Sequence, residues 1–181
     1  DRSPSRGLGD VYKRQVREFM LSELDRDEER DGHPYISPRL SPEGAQRYPQ
    51  LLREAMVDGD EDSLQVGLSG PGMLNASETY ERDGVVRTRK MNRQAPQTLA
   101  EGEFNRYFIR GLCASIDADG GGVVEVYRAR ESSWSRPESE ALIGKQIDAK
   151  VLLEDLRANI GEAPSLLPDV NSGLSVRRPR Q

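Results

Sequence analysis

The chain has 181 residues, a formal net charge of −5, 35% hydrophobic residues and 31% charged ones. That length supports one domain with a real core, while the thin apolar content predicts segments that bury little. The acidic balance argues against non-specific nucleic-acid binding by the molecule as a whole, and no apolar run approaches the roughly eighteen residues of a membrane span. A single cysteine, Cys113, and a single histidine, His33, exclude an intramolecular disulfide and a Cys/His zinc site within one chain. A reducing, cytoplasmic setting is expected. Arginine outnumbers lysine 22 to 4, as in a GC-rich bacterial or phage genome.

Asp10-Val-Tyr-Lys-Arg-Gln15 looks like translated sequencing-adapter read-through of the kind that heads metagenomic reading frames, so residues 1–15 are expected to be a non-native leader. Val16, Phe19, Met20 and Leu24 then lie at helical spacing and run into the mixed-charge stretch 25–31, expected as a solvated helix end. His33 to Pro42 holds three prolines and reads as an extended connector. Ser41 followed by Pro42 is a cap and a first-turn proline, opening a second helix that Pro49 is expected to split. Leu51, Leu52, Ala55 and Met56 continue the pattern, Asp58 to Asp62 interrupts it, and 63–68 fits one more short helix. Gly70-Pro-Gly72 is a breaker.

Asp83-Gly84 between two β-compatible runs is a hairpin signal, predicting an edge ribbon over 76–91. Thr98 with Glu101 has capping-box spacing. Behind it Phe104, Phe108 and Leu112, widened by Ile109, Cys113 and Ile116, predict a central helix over 98–117, with Arg106 and Arg110 a separate four-spaced pair near the edge of the stripe. Gly120-Gly-Gly122 ends that helix and opens a strand over 123–129. A polar loop at 131–137, a short helix at 138–143 and a helix at 148–159, with Val151, Leu152, Leu156 and Ile160 on one side, complete the domain over 16–161. Residues 162–181 read as an irregular tail. The expected fold is α+β: one small, mostly antiparallel sheet of the hairpin plus the 123–129 strand, packed by the central helix, with peripheral helices around it.

Several motifs approach chemistry without completing it. Asp58, Asp60 and Asp62 match the alternating start of a calcium loop, as do Asp117 and Asp119, but neither run has the closing bidentate carboxylate. Asp119 and Glu125 have the spacing of a metal-dependent nuclease core that lacks its lysine. Arg128 and Arg130 at a strand end, with Ser132, Ser133, Glu138 and Glu140 downstream, supply the residue types of an ADP-ribosyltransferase site without its spacing. The triple glycine follows a helix and opens a strand, so it is a turn and not a phosphate loop. Asn75-Ala-Ser77 fits a glycosylation acceptor with no secretion signal to support it.

Charge asymmetry is the clearest remaining feature. Arg82, Arg87, Arg89, Lys90 and Arg93 face only Asp83 in sequence, and with Arg106, Arg110, Arg128 and Arg130 they form a candidate basic face on an acidic protein. The first reading is therefore a non-enzymatic interaction or assembly module of bacterial or phage origin that binds nucleic acid or an acidic partner through Arg87, Arg89, Lys90, Arg93, Arg106, Arg110, Arg128 and Arg130, with no cofactor, no metal and no membrane. The alternative is a small hydrolase or nucleotide-using transferase with a site around Asp119, Glu125 and Arg128. Neither reading fixes an oligomeric state.

Overall fold

A computed structural model describes residues 10–131 and 136–180. The chain is an α+β fold, with six helices and two small antiparallel sheets among the described residues. Helix α1 (Asp10–Asp31) carries Val16, Met20 and Leu24, all buried, on one stripe. Residues 10–15 of the expected leader lie within this helix, and residues 1–9 lie outside the described residues. The charged run 25–31 continues α1 and is not wholly solvated, since Asp27 is buried.

Helix α2 (Pro42–Val57) opens on Ser41, whose Oγ accepts the Gly44 N–H at 2.9 Å. Pro49 sits inside α2 without splitting it. Proline removes one N–H and costs about 3 kcal/mol in a helix interior. Tyr48, Leu52, Ala55 and Met56 are buried along one face of α2, and each large apolar side chain returns about 1.5–3 kcal/mol, so packing outweighs the break. Helix α3 (Glu61–Leu68) is capped by Asp60, which accepts the Ser63 N–H at 3.0 Å while Ser63 Oγ accepts the Asp60 N–H at 2.9 Å.

Strands β1 (Ser77–Arg82) and β2 (Val85–Lys90) form the expected hairpin. Asp83 and Gly84 both take positive φ, 55° and 74°, the pair a two-residue primed turn requires. The hairpin does not join the other strand, as the sequence reading expected, but is a sheet of its own. Its apolar residues explain this: the register puts Tyr80 and Val85 on one face and Val86 on the other, so neither face can be buried as a unit.

Helix α4 (Ala95–Ala118) begins three residues before Thr98, at Ala95, with Pro96 in its first turn. The expected Thr98 cap is not used, and Glu101 instead accepts from the Gln97 side chain at 3.0 Å and pairs with Arg130. Phe104, Phe108, Leu112, Ile109, Cys113 and Ile116 are all buried as the stripe required. Burial extends beyond the stripe, however: Glu103, Asn105, Arg106, Tyr107 and Arg110 are inside as well, so α4 is surrounded on most sides.

After the glycine turn, β3 (Val123–Arg128) buries Val124 and Val126. Helix α5 (Pro137–Glu140) is short; β4 (Gln146–Asp148), unforeseen, pairs with β3; and Asp148 caps α6 (Ala149–Ala158) by accepting the Val151 N–H at 3.0 Å. Helix α6 buries Leu152, Leu153 and Leu156, leaving Val151 exposed, a rotation from the expected face. The segment expected as an irregular tail contains β5 (Leu174–Arg177), which pairs antiparallel with β3 in the order β4-β3-β5. Asn105 of α4 ties the layers together, donating to Leu174 O at 2.9 Å and accepting from Ser175 Oγ at 2.7 Å. One core of α1, α2, α3, α4, α6 and the inner face of this sheet results.

Candidate nucleic-acid interface

The arginines singled out from the sequence separate into three groups. Arg106 and Arg110 are inside the protein, which removes them from any exposed face. Arg110 has 0% exposure and holds two carboxylates of α1: Nη1 and Nη2 reach Asp27 Oδ2 and Oδ1 at 2.7 and 2.9 Å, and Nε reaches Glu23 at 2.9 Å. Tyr107 donates to Asp27 at 2.7 Å, and Arg157 of α6 adds a second cation to Glu23 at 3.0 Å. Burial works against the charge on Arg110, but Asp27 and Glu23 hold it protonated, and the same surroundings push the Tyr107 hydroxyl upward. Two cations and two anions thus cancel with their hydrogen bonds made; this is a structural lock between α1, α4 and α6. Arg106 donates to the carbonyls of Asn159 and Glu162 at 3.2 and 3.3 Å and lies 3.5 Å from Glu103.

Arg128 and Arg130 are the second group. Arg128 ends β3 and Arg130 follows two residues on; both are partly buried and paired, with Glu140 and Glu101 respectively. They lie at the three-stranded sheet and not on the ribbon.

The third group is the ribbon. Every residue of β2 is exposed, and neither β1 nor β2 makes substantial contact with another helix or strand. Opposed residues of an antiparallel pair share a face, so the register Glu78↔Arg89, Tyr80↔Arg87, Arg82↔Val85 puts three arginines and the tyrosine together. The other face carries Ser77, Thr79, Glu81, Val86, Thr88 and Lys90. Glu78, the one acid on the arginine face, is enclosed by Arg39 at 2.8 Å and Arg89 at 2.9 Å. Counting Arg39, that face carries four cations and one anion, while the opposite face holds one of each. The Arg89 guanidinium lies over the Tyr80 ring, 4.8 Å from its centre. Among the described residues no ion-pair partner meets Arg87, Lys90 or Arg93.

A two-stranded ribbon alone is marginally stable in water. Here its root is fixed: Leu40 and Leu74 form a β-bridge, Asn75 N–H donates to Arg39 O at 2.9 Å, and the Asn75 side chain donates to Pro38 O and Leu40 O at 3.0 and 3.1 Å. The Asn75 amide of the sequence's glycosylation motif is therefore part of that anchor.

The residues of the alternative, enzymatic reading do not converge. Asp119 pairs with Arg178 at 2.9 Å, Glu125 with Arg177 at 3.0 Å, and Arg128 with Glu140. No group of three or more His, Cys, Asp or Glu among the described residues has metal-binding geometry. Asp60 is a helix cap, which accounts for one acid of the first calcium-like run. Ser132 and Ser133 lie outside the described residues. His33 is exposed and Cys113 is buried, so the two do not form a catalytic pair. A cleft of about 440 Å³ between α5 and the 168–172 loop presents Arg136, Glu138 and Asp169, a mixed set with no nucleophile and base in contact. No helix of the described residues is long and apolar enough to cross a membrane. No family model, curated protein or solved structure matches the chain.

Proposed function

We propose that this chain is a non-enzymatic binding module that engages nucleic acid through the arginine face of the β1–β2 ribbon, and that it works in the cytoplasm, where that partner is found. The observation that carries the reading is a fully exposed strand, Val85–Lys90, in which half the residues are cationic and none adds to the core. Guanidinium groups suit phosphate because their paired N–H donors match its oxygens. The acidic body does not cancel this charge. Six residues of strand extend about 20 Å, whereas screening at physiological salt sets in over about 8 Å.

The test is binding of short nucleic acids followed by fluorescence anisotropy across a salt series. Contacts from Arg82, Arg87, Arg89 and Arg93 predict a log–log salt slope of about −3 to −4, reduced by about 1 for each cation replaced. Arg82→Ala with Arg87→Ala should weaken binding without moving the melting temperature, since both side chains are exposed. An acidic polypeptide bound at low salt in place of nucleic acid would reassign the partner.

A further inference from the structure

We infer that the ribbon enters the major groove of duplex DNA, with the Arg82, Arg87 and Arg89 face turned to the base edges and Arg93, just past the end of β2, set against a flanking phosphate; this rests on the nucleic-acid reading above. The shape argument comes first. The major groove is about 12 Å wide and admits a two-stranded ribbon, whereas the minor groove, at about 6 Å, does not. Insertion requires a ribbon whose outer part is free on both faces and both edges; β1 and β2 are paired only with each other, and Arg39 of the connector meets the arginine face at its root, at Glu78, leaving the stretch toward Arg82 and Val85 clear. A ribbon that merely rested on a charged surface would need one free face. The outer N–H groups of the two edges point sideways, where the phosphate walls of the groove would accept them.

The side chains agree with the shape. The groove-facing side chains on β2 are Arg87 and Arg89, two residues and about 7 Å apart, which is about two base-pair steps. Arginine reads guanine in the major groove through paired bonds to O6 and N7. Arg89 is already oriented by Glu78 and by the Tyr80 ring. The outward face sets the small side chains of Ser77, Thr79 and Thr88 among Glu81, Val86 and Lys90, and its one cation is balanced by its one anion. Arg89 lies over one face of the Tyr80 ring, which removes that face as a platform for an unpaired base.

The experiment compares G·C-rich duplexes with their separated strands, and with duplexes carrying 7-deazaguanine, which lacks the N7 acceptor. On a duplex that joins the G·C block to an A·T tract, methyl green serves as a major-groove competitor and netropsin, which needs the A·T tract, as a minor-groove one. The expected result is tighter binding to duplex, displacement by methyl green, and about tenfold weaker binding to the 7-deazaguanine duplex. Arg87→Lys with Arg89→Lys keeps the charge and should keep the salt slope while losing the sensitivity to N7. Equal or tighter binding to single strands, displacement by netropsin alone, or indifference to N7 overturns groove entry and leaves the nucleic-acid reading standing. A complex with RNA alone overturns groove entry and leaves the nucleic-acid reading standing, and absence of any complex with DNA or RNA at low salt overturns both.

Discussion

Arg110 and Asp27 meet as a two-point ion pair across the α1–α4 interface, at 2.7 and 2.9 Å, with neither side chain more than 1% exposed. A charge in that position depends on its partner. Removing one member of a buried pair costs about 3–5 kcal/mol, because the other is left without compensation. Asp27→Ala is therefore expected to lower the unfolding free energy by that amount in urea titration. Asp27→Leu combined with Arg110→Met should cost less than the two single changes added together, since Glu23 keeps Arg157. Additive losses would show that the pair is not coupled.

Two buried carboxyls set opposite pH slopes. Burial raises the Glu23 pKa, but hydrogen bonds and charge from Arg157 and Arg110 outweigh it and hold Glu23 below its ordinary value. Its contribution is complete above the unfolded pKa and is lost as pH falls through the folded one. Glu103 goes the other way: burial, only partly offset by Arg106, raises its pKa. Its contribution is complete below the unfolded pKa and is lost as pH rises through the raised folded value. The melting temperature should pass through a maximum, with Glu23→Gln flattening the acid limb and Glu103→Gln the limb above it. A Glu103→Gln profile that superimposes on the wild type would remove Glu103 from this account.

At Gly111 the backbones of α4 and α1 come close. A Cβ there would meet Met20 Cγ at 2.6 Å, Met20 N at 2.9 Å and Val16 O at 3.0 Å. Alanine gains about 1 kcal/mol in helix propensity over glycine, but overpacking against backbone costs up to about 3 kcal/mol. Gly111→Ala is expected to destabilise by about 2 kcal/mol, measured by denaturant midpoint at constant m-value. A stabilised variant would mean the two helices separate freely.

The Cys113 thiol is buried in the core, and burial pushes its pKa up to about 12. A thiol is reactive as its thiolate. Modification by a disulfide reagent near neutral pH should therefore proceed at the rate of global opening and accelerate in step with added urea. Rapid labelling of the native protein would place the side chain near the surface.

How far these features were legible follows from what each depends on. Ser41-Pro42 and Asp83-Gly84 act through neighbouring atoms, and both appear as read. The central stripe on α4 was legible for the same reason. Arg106 and Arg110 were not, because charge and four-residue spacing look alike on a solvated face and in a buried lock. A signal existed in α1: Glu23 and Asp27 continue the spacing of Val16, Met20 and Leu24, which puts two acids on the inward stripe. Strand β5 was missed because four residues among prolines and glycines carry no pattern of their own; β3 defines it through pairing across about fifty residues. The ribbon's cations were visible in sequence, but their sorting onto one face required the register.

The order β4-β3-β5 has a consequence for synthesis. Val126 leaves the ribosome long before its partner Val176 does. Until then one edge of the middle strand is open, with a valine-rich sequence beside it, and such an edge is a template for pairing between molecules. A nonsense codon anywhere between α6 and Leu174 would make that transient state permanent, and the shortened product is expected in inclusion bodies.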